Sequence, residues 1–393
     1  MRFSNARSEL LPPYAVQRIA TAKRRLLGEG RDVIDLGAGD ADLPPPPVAV
    51  SSLSAAARDP ANSRYAFQVG LRAFRESVAG YMRRRFATTV DPVAEILPLI
   101  GSKDGLAHLP FALLDPGDLC IIPDPGYTPY LGGTILAGAE PLVCPLRAEH
   151  DFLLDLEGLS AEQLDRARLV ILNYPNNPTS AVASWDYLVH VVEICRRHEI
   201  VLAYDNPYCE ITFDGYRAPS ILEIPGAREV AIEFHSLSKS FGMTGWRIGW
   251  AAGRPELISA LLKVKQFVDT GPFLAIQHAA AATLDVAETL LPPIRETFRE
   301  RRDAGVAALA RIGMSVPPPK ATMYLWVPLP DGMPSWPFAE RLLEEEYVAV
   351  LPGASMGAGG EGYIRIALTV KSARLDEAAT RIGRFLERQG RGS

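Results

Sequence analysis

The chain has 393 residues, 48% of them hydrophobic and 22% charged, with a formal net charge of −5. That length holds about two to three domain-sized units, or one large domain with a smaller satellite. The acid excess excludes a general attraction to nucleic acid or to an anionic membrane.

No uninterrupted apolar run approaches the roughly 18 residues of a membrane span. The opening MRFSNARSELLPPYAV lacks the apolar core of a secretory leader, so a cytoplasmic location is expected. The first periodic pattern predicts a helix over 15–28, ending at Gly28, and the next a helix over 71–86. From about residue 95, short apolar runs alternate with helical patterns. The strand candidates are 96-ILPLIG, 119-LCIIPD, 141-PLVCPL, 169-LVILNYP, 200-IVLAYD, 230-VAIEFHS and 247-RIGWAAG, with helices over 103–114, 127–138 and 185–198 among them. Continuous apolar strands alternating with helices predict an α/β fold with a mostly parallel seven-stranded sheet covered on both faces.

Beyond about residue 275 come one long helical stretch, then 322-TMYLWVPL, 347-YVAVLPG and 363-YIRIALT as strands, then a closing helix over 374–388. This tail, with the N-terminal segment, reads as a smaller α+β domain. The expected division is 1–45 for an N-terminal arm and part of the small domain, 46–280 for the large domain, and 281–393 for the rest of the small domain. The basic runs Arg83–Arg85 and Arg299–Arg302 read as solvated helix faces. Cysteines 120, 144, 195 and 209 form no CxxC pair and read as reduced core residues. The six histidines show no ligand spacing, so no metal is expected. The run 357-GAGGEG opens no helix after a strand and is a loop, not a dinucleotide fingerprint.

Ligands of open α/β sheets gather at the carboxyl ends of the strands. Asp205 ends one run, with Tyr208 three residues on; Asn177 follows another in NYPNNPT; Lys239 lies just beyond a third. Singly, an Asp after a strand is a helix cap, Asn-Asn-Pro-Thr a turn, and a lysine a solvated charge. The stretch 235-HSLSKSFGMTGWRIGW sets Lys239 among Ser236, Ser238 and Ser240 with Arg247 eight residues on and no carboxylate between them. A buried set of that kind takes its negative charge from a ligand, and a phosphate fits. Pyridoxal phosphate accounts for all of it: a lysine amine for its aldehyde, a carboxylate beside its ring nitrogen, donors to its ring hydroxyl and a cup for its phosphate.

The ordered motifs NNPT, DNPY, SLSK and the arginine eight residues after the lysine resemble the fold-type I, pyridoxal-phosphate-dependent aminotransferases of class I/II, from 35-DLGAGDADLP to 363-YIRIALT. Within them, 101-GSKDGLAHLP, 124-DPGYTPY, 173-NYPNNPTSA, 234-FHSLSKSFGMTGWRIG and 361-EGYIRIALT are most similar to the LL-diaminopimelate aminotransferases. The resemblance implies that Lys239 is the Schiff-base lysine and proton carrier, and that Asp205 pairs with the ring nitrogen. Asn177 and Tyr208 would bond the ring oxygen, and Tyr127 would stack on the ring. Ser102, Lys103, Ser236, Ser238 and Arg247 would hold the phosphate, and Lys103 would also reach the substrate. Arg365 would clamp the substrate α-carboxylate, with Asn177, Tyr14 and Gly39 lining the substrate. Tyr65 would reach the phosphate site of a second copy, which implies a homodimer.

The implied reaction moves an amino group between an L-amino acid and a 2-oxo acid by a ping-pong route, with LL-diaminopimelate and 2-oxoglutarate as first choice. Three departures bear on the substrate. Gln68 stands where some diaminopimelate enzymes carry an acid, 270-TGPFLAIQ lacks an asparagine found near the phosphate in some, and 204-YDNPYCE is closer to aspartate-type enzymes. The alternatives are an aspartate-, alanine- or broad-range aminotransferase, or a C–S lyase or decarboxylase with the same cofactor. A transcription regulator would need roughly 80–100 further N-terminal residues for a winged helix and is not expected.

Overall fold

The computed structural model describes all residues except 2, 13, 14, 68, 331 and 391–393, with backbone alone at 15, 16 and 390. Its strands are β1 (Ile34–Asp35), β2 (Ile96–Leu99), β3 (Leu119–Asp124), β4 (Glu140–Pro145), β5 (Ala167–Leu172), β6 (Val201–Asp205), β7 (Ala231–Ser236), β8 (Gly249–Gly253), β9 (Tyr324–Pro328), β10 (Val348–Ala349), β11 (Leu351–Pro352) and β12 (Tyr363–Ala367).

Seven of them form one sheet in the order β2-β8-β7-β6-β5-β3-β4. The pairs from β7 through β4 are parallel, and β8 alone runs antiparallel to both its neighbours. This is the mostly parallel seven-stranded sheet expected from the apolar runs. The two-residue period of a strand sorts its side chains between two cores. Val170, Leu172, Leu202 and Tyr204 face one, with Phe74, Val78, Leu188 and Val192 of the helices Arg72–Phe86 and Trp185–Arg197. Leu169, Ile171 and Ala203 face the other, with Leu106, Leu109 and Leu261 of the helices Ser102–Leu113 and Pro255–Lys265. All four cysteines are buried and unbridged.

The smaller layer is built from both ends of the chain. Strands β11, β12 and β9 form an antiparallel sheet, and β1 pairs in parallel with β10. Leu325, Ile364, Phe338 and Phe385 share a core with Ile19, Leu26, Ile34 and Leu36. The run 347-YVAVLPG therefore serves two sheets, through two short strands instead of one. The helical stretch after 275 is likewise two helices, Leu274–Asp285 and Ala287–Arg311. Ala281, Leu284, Ala287 and Leu291, beyond the expected border at 280, pack into the core of the larger sheet.

The basic run near 300 is not a solvated face. Arg301 and Arg302 are buried, because Arg301 forms a two-pronged pair with Asp42 and donates to the Leu368 carbonyl, while Arg302 pairs with Asp214 and Asp303. Among the described residues no helix is long and apolar enough to cross a membrane.

Behind the site, the buried Glu210 carboxylate accepts from Tyr81, Arg85 and Arg295. It thereby ties the helices Arg72–Phe86 and Ala287–Arg311 to the loop after β6. Removing one partner of a buried ion pair leaves the others desolvated and unpaired, so Glu210→Ala should lower unfolding stability by about 3–5 kcal/mol. Glu210→Gln should cost less, because it keeps an acceptor. Urea unfolding of both variants measures this, and equal losses would contradict it.

Candidate active site

The carboxyl ends of β5, β6 and β7 open into a cavity of about 260 Å³. Its lining brings together Gly39, Ser102, Lys103, Tyr127, Asn177, Asp205, Tyr208, Ser236, Ser238, Lys239, Arg247 and Arg365, twelve of the positions singled out in the sequence. Residues 326 positions apart in the chain thus meet because the small layer closes over the strand ends.

The polar balance of this cavity is one-sided. Asp205 ends β6 and is 3% exposed. Its Oδ2 accepts from the Tyr130 hydroxyl at 2.6 Å, while its Oδ1 is buried without a partner. Burial raises the Asp205 carboxyl from 3.8 to about 7, offset in part by the Tyr130 hydrogen bond. Against this single carboxylate stand Lys239, Arg247 and Arg365, none of which pairs with a described acid. Each is satisfied by neutral oxygens. Lys239 Nζ donates to the Gly39 carbonyl. Arg247 donates to the carbonyls of Thr244 at 2.9 Å and Ile100 at 3.3 Å. Arg365 donates to Asn177 Oδ1 at 2.6 Å and to the Gly37 carbonyl at 2.8 Å, and its Nε is buried with no acceptor.

Local chain geometry shapes one end for an anion. The helix Ser102–Leu113 begins without a side-chain cap, so its first N–H groups remain available beside Ser102 and Lys103. Gly101 precedes it at φ 76°, and a Cβ there would come within 2.5 Å of the Arg247 guanidinium. A Cβ at Gly249 would meet the Ser102 nitrogen at 3.1 Å and the His235 carbonyl at 2.4 Å. Ser236 caps the four-residue turn Leu237–Ser240 by accepting from the Ser238 N–H. Lys239 therefore leaves the sheet on a tight turn that aims it into the cavity.

At the opposite end Tyr208 meets Tyr324 hydroxyl to hydroxyl at 3.0 Å. Burial pushes the Tyr208 phenol well above its ordinary range. The loop after β5 holds itself together, Asn173 accepting from the Asn177 N–H at 2.7 Å and donating to the Asp205 carbonyl at 2.7 Å. His235, beside the lysine turn, is buried and stacks on Trp250 at 4.8 Å.

Among the described residues one expected position is not in this cavity. Tyr65 is 69% exposed, in a groove with Phe67, Thr270, Gly271 and Phe273. Tyr14 lies outside the described residues, as does Gln68. Two tyrosines of the site stand outside the expected positions: Tyr324 lines the cavity, and Tyr130 is buried against Asp205. Tyr130 stands in DPGYTPY three residues after Tyr127, and Tyr324 in 322-TMYLWVPL, whose pattern predicts only a strand. Among the described residues the one cluster of metal-ligand type is Asp104, His108 and Asp269. There the buried Lys265 ammonium pairs with Asp104 at 2.5 Å and Asp269 at 2.7 Å.

The family described as aminotransferase class I and II matches residues 31–382. The chain is similar to the LL-diaminopimelate aminotransferase of Moorella thermoacetica, 45% identical over 96% of each chain. Among solved structures it is similar to substrate-bound BacF from Bacillus subtilis, with a TM-score of 0.95, 33% identity and 98% of each chain covered. It also resembles a probable N-succinyldiaminopimelate aminotransferase from Thermus thermophilus, with a TM-score of 0.89 and 37% identity over 94% of this chain and 99% of that one.

The raised Asp205 carboxyl has a consequence for stability. Folded, it binds its proton more tightly than unfolded, so the stability this group contributes is present below about pH 4 and is lost as pH rises towards 7. In protein treated with phenylhydrazine to release any imine-bound aldehyde and then dialysed, Asp205→Asn should abolish that loss. The variant should exceed the parent by roughly 2–4 kcal/mol at pH 8 and match it at pH 4. Urea titrations at the two pH values read this out, and parallel pH profiles would contradict it.

Proposed function

Because the chain belongs to the class I and II aminotransferases, we propose that it moves an amino group from LL-diaminopimelate to 2-oxoglutarate in two half-reactions, with pyridoxal phosphate as carrier. The observation that carries this reading is the charge of the cavity: three cations without acidic partners surround one buried carboxylate with a vacant acceptor. A ligand with a protonated ring nitrogen and a phosphate, joined by a substrate carboxylate, supplies each missing partner.

Asp205 Oδ1, buried without a partner, would accept from the ring nitrogen, and that ion pair would hold the carboxylate in its charged state. Lys239 would hold the cofactor through its amine and, when that amine is free, would take and return the proton at the substrate Cα. Tyr208 and Asn177 donate to the ring oxygen; Asn177 spends its Oδ1 on Arg365, which leaves its NH₂ for that task. Tyr127 stacks on the ring. Ser102, Lys103, Ser236, Ser238 and Arg247 bind the phosphate. Bound there, pyridoxal phosphate supplies an electron-withdrawing ring that acidifies the substrate Cα–H.

Arg365 clamps the α-carboxylate, where its planar fork matches both oxygens. Gly39, in the cavity lining, borders the substrate, and the absence of a side chain there leaves room for the Tyr324 hydroxyl. On this reading residues 46–280 carry the ring and phosphate contacts, while 1–45 and 281–393 bring Gly39 and Arg365 to the substrate.

The high identity to diaminopimelate enzymes over nearly the whole chain supports that substrate and a place in lysine biosynthesis. Gln68, neutral where some of those enzymes carry an acid, is the feature that favours an aspartate- or alanine-type reaction instead. A homodimer completes the site. Tyr65, Phe67, Phe267 and Phe273 are exposed at 69, 67, 89 and 45%, an apolar surface suited to a second copy, with Tyr65 reaching that copy's phosphate.

Three experiments test this. Loss of the visible cofactor band on titration should require the least ligand with LL-diaminopimelate; equal loss with aspartate or alanine would replace the substrate, and no band in cofactor-replete protein would remove Lys239 from its role. Arg365→Lys should raise KM for both substrates roughly 100-fold through loss of the two-pronged contact, with the resting spectrum unchanged. Mixing inactive Tyr65→Ala and Lys239→Ala proteins should restore about a quarter of parental activity, because half the dimers then hold one intact site. No recovery would mean that Tyr65 serves its own subunit.

A further inference from the structure

Tyr324 stands outside every motif that points to the site, yet it touches both working ends of it. On β9 it pairs with Ala367, two residues beyond Arg365 on β12, so the two side chains leave the same face of the small sheet. The Arg365 guanidinium carbon lies 4.2 Å from the centre of the Tyr324 ring. The other end of the phenol reaches the Tyr208 hydroxyl at 3.0 Å, with the rings edge-on at 5.5 Å. Its oxygen also abuts Gly39, where a Cβ would come within 2.2 Å.

The large layer holds it there. Ser180 Oγ donates to the Tyr324 carbonyl at 2.9 Å and shares a 2.7 Å hydrogen bond with Thr322 Oγ1, which accepts from the Tyr324 N–H at 3.2 Å. Ser180 belongs to the loop that carries Asn177. One loop thus sets both a ring-oxygen donor and the backbone of Tyr324.

We propose that Tyr324 is a positioning residue whose hydroxyl donates to Tyr208, so that the carboxylate clamp Arg365 and the ring-oxygen donor Tyr208 act as one unit. This rests on the assignment of the cavity to pyridoxal phosphate. A phenol carries one proton. When Tyr208 gives its proton to the ring oxygen, its own oxygen must accept, and the Tyr324 hydroxyl lies within reach.

The charged and titratable groups facing Tyr324 are Arg365 from β12, Lys239 from the turn after β7, and Tyr208 from the loop after β6. Burial raises the Tyr324 phenol, but those two cations and the Tyr208 hydrogen bond outweigh it and hold the phenol below its ordinary range. Tyr208 is pushed up by burial and by Tyr324 itself. With the single Tyr208 proton committed to the ring oxygen, the 3.0 Å contact is filled by the Tyr324 proton, which sets the direction Tyr324 to Tyr208 to ring oxygen. Hydrogen bonds in such a chain polarise one another. A carboxylate arriving at Arg365 offsets the cation that sharpens Tyr324, so occupancy of the clamp is felt at the ring oxygen.

Tyr324→Phe keeps the ring beneath Arg365 and removes only the hydroxyl. In the resting holoenzyme the pH midpoint of the visible cofactor band should rise by about half a unit, since the ionised ring oxygen loses polarised donation. In the parent enzyme, saturation with glutarate, a dicarboxylate without an amine, should raise that midpoint further, because an added anion favours the protonated form. The variant should show a smaller rise. Its kcat should fall about tenfold with KM for the amino donor within about twofold, and its thermal unfolding midpoint should be unchanged. A parental midpoint and a parental glutarate response in the variant would overturn the proposal. So would equal losses in kcat and KM without a midpoint shift, the mark of a packing role. Absence of a visible band in the cofactor-replete parent would instead overturn the cofactor reading beneath it.

Discussion

The site is organised by a surplus of positive charge that no acid pairs off among the described residues. Lys239, Arg247 and Arg365 line one cavity with Asp205 as the carboxylate among its lining residues. Burying a cation without a counter-ion is costly, and Arg365, the buried one of the three, is met by the Asn177 amide oxygen and the Gly37 carbonyl, while the half-buried Lys239 and the exposed Arg247 donate to the carbonyls of Gly39, Ile100 and Thr244. Carbonyls satisfy donors without neutralising them. The net charge is left for ligands to neutralise, and that residual field favours anions over neutral molecules.

Elsewhere the same protein pairs its buried cations with acids. Lys265 is fully buried between Asp104 and Asp269, Arg301 grips Asp42, and Glu210 gathers Arg85 and Arg295. These pairs tie helices to loops, and each is complete within the chain. The difference between paired and unpaired buried arginines separates scaffold from site here more cleanly than burial does, since Arg301 and Arg365 are exposed to nearly the same small extent.

Two small residues govern how closely the parts approach. Gly101 leaves room for the Arg247 guanidinium beside an uncapped helix start, and Gly39 leaves room for the Tyr324 hydroxyl above Lys239. In both cases glycine serves as space for a neighbour's polar group. At Gly101 the positive φ would also strain a larger residue.

By itself the sequence determined the alternation of apolar strands and helices, hence the parallel sheet and the strand ends where a site must lie. It also determined the local motifs around Asn177, Asp205 and Lys239, because each occupies a single loop whose residue order is its geometry. Tertiary structure alone decided the rest. It placed Tyr324 on Tyr208 and under Arg365, and Tyr130 on Asp205, pairings across scores of residues that no local spacing encodes. It reversed β8, split the helix after 275 at Val286, and buried Arg301 and Arg302 that a charge run marks as solvated. In each case the reason is the same: a partner distant in the chain, not the neighbours in sequence, sets a side chain's environment.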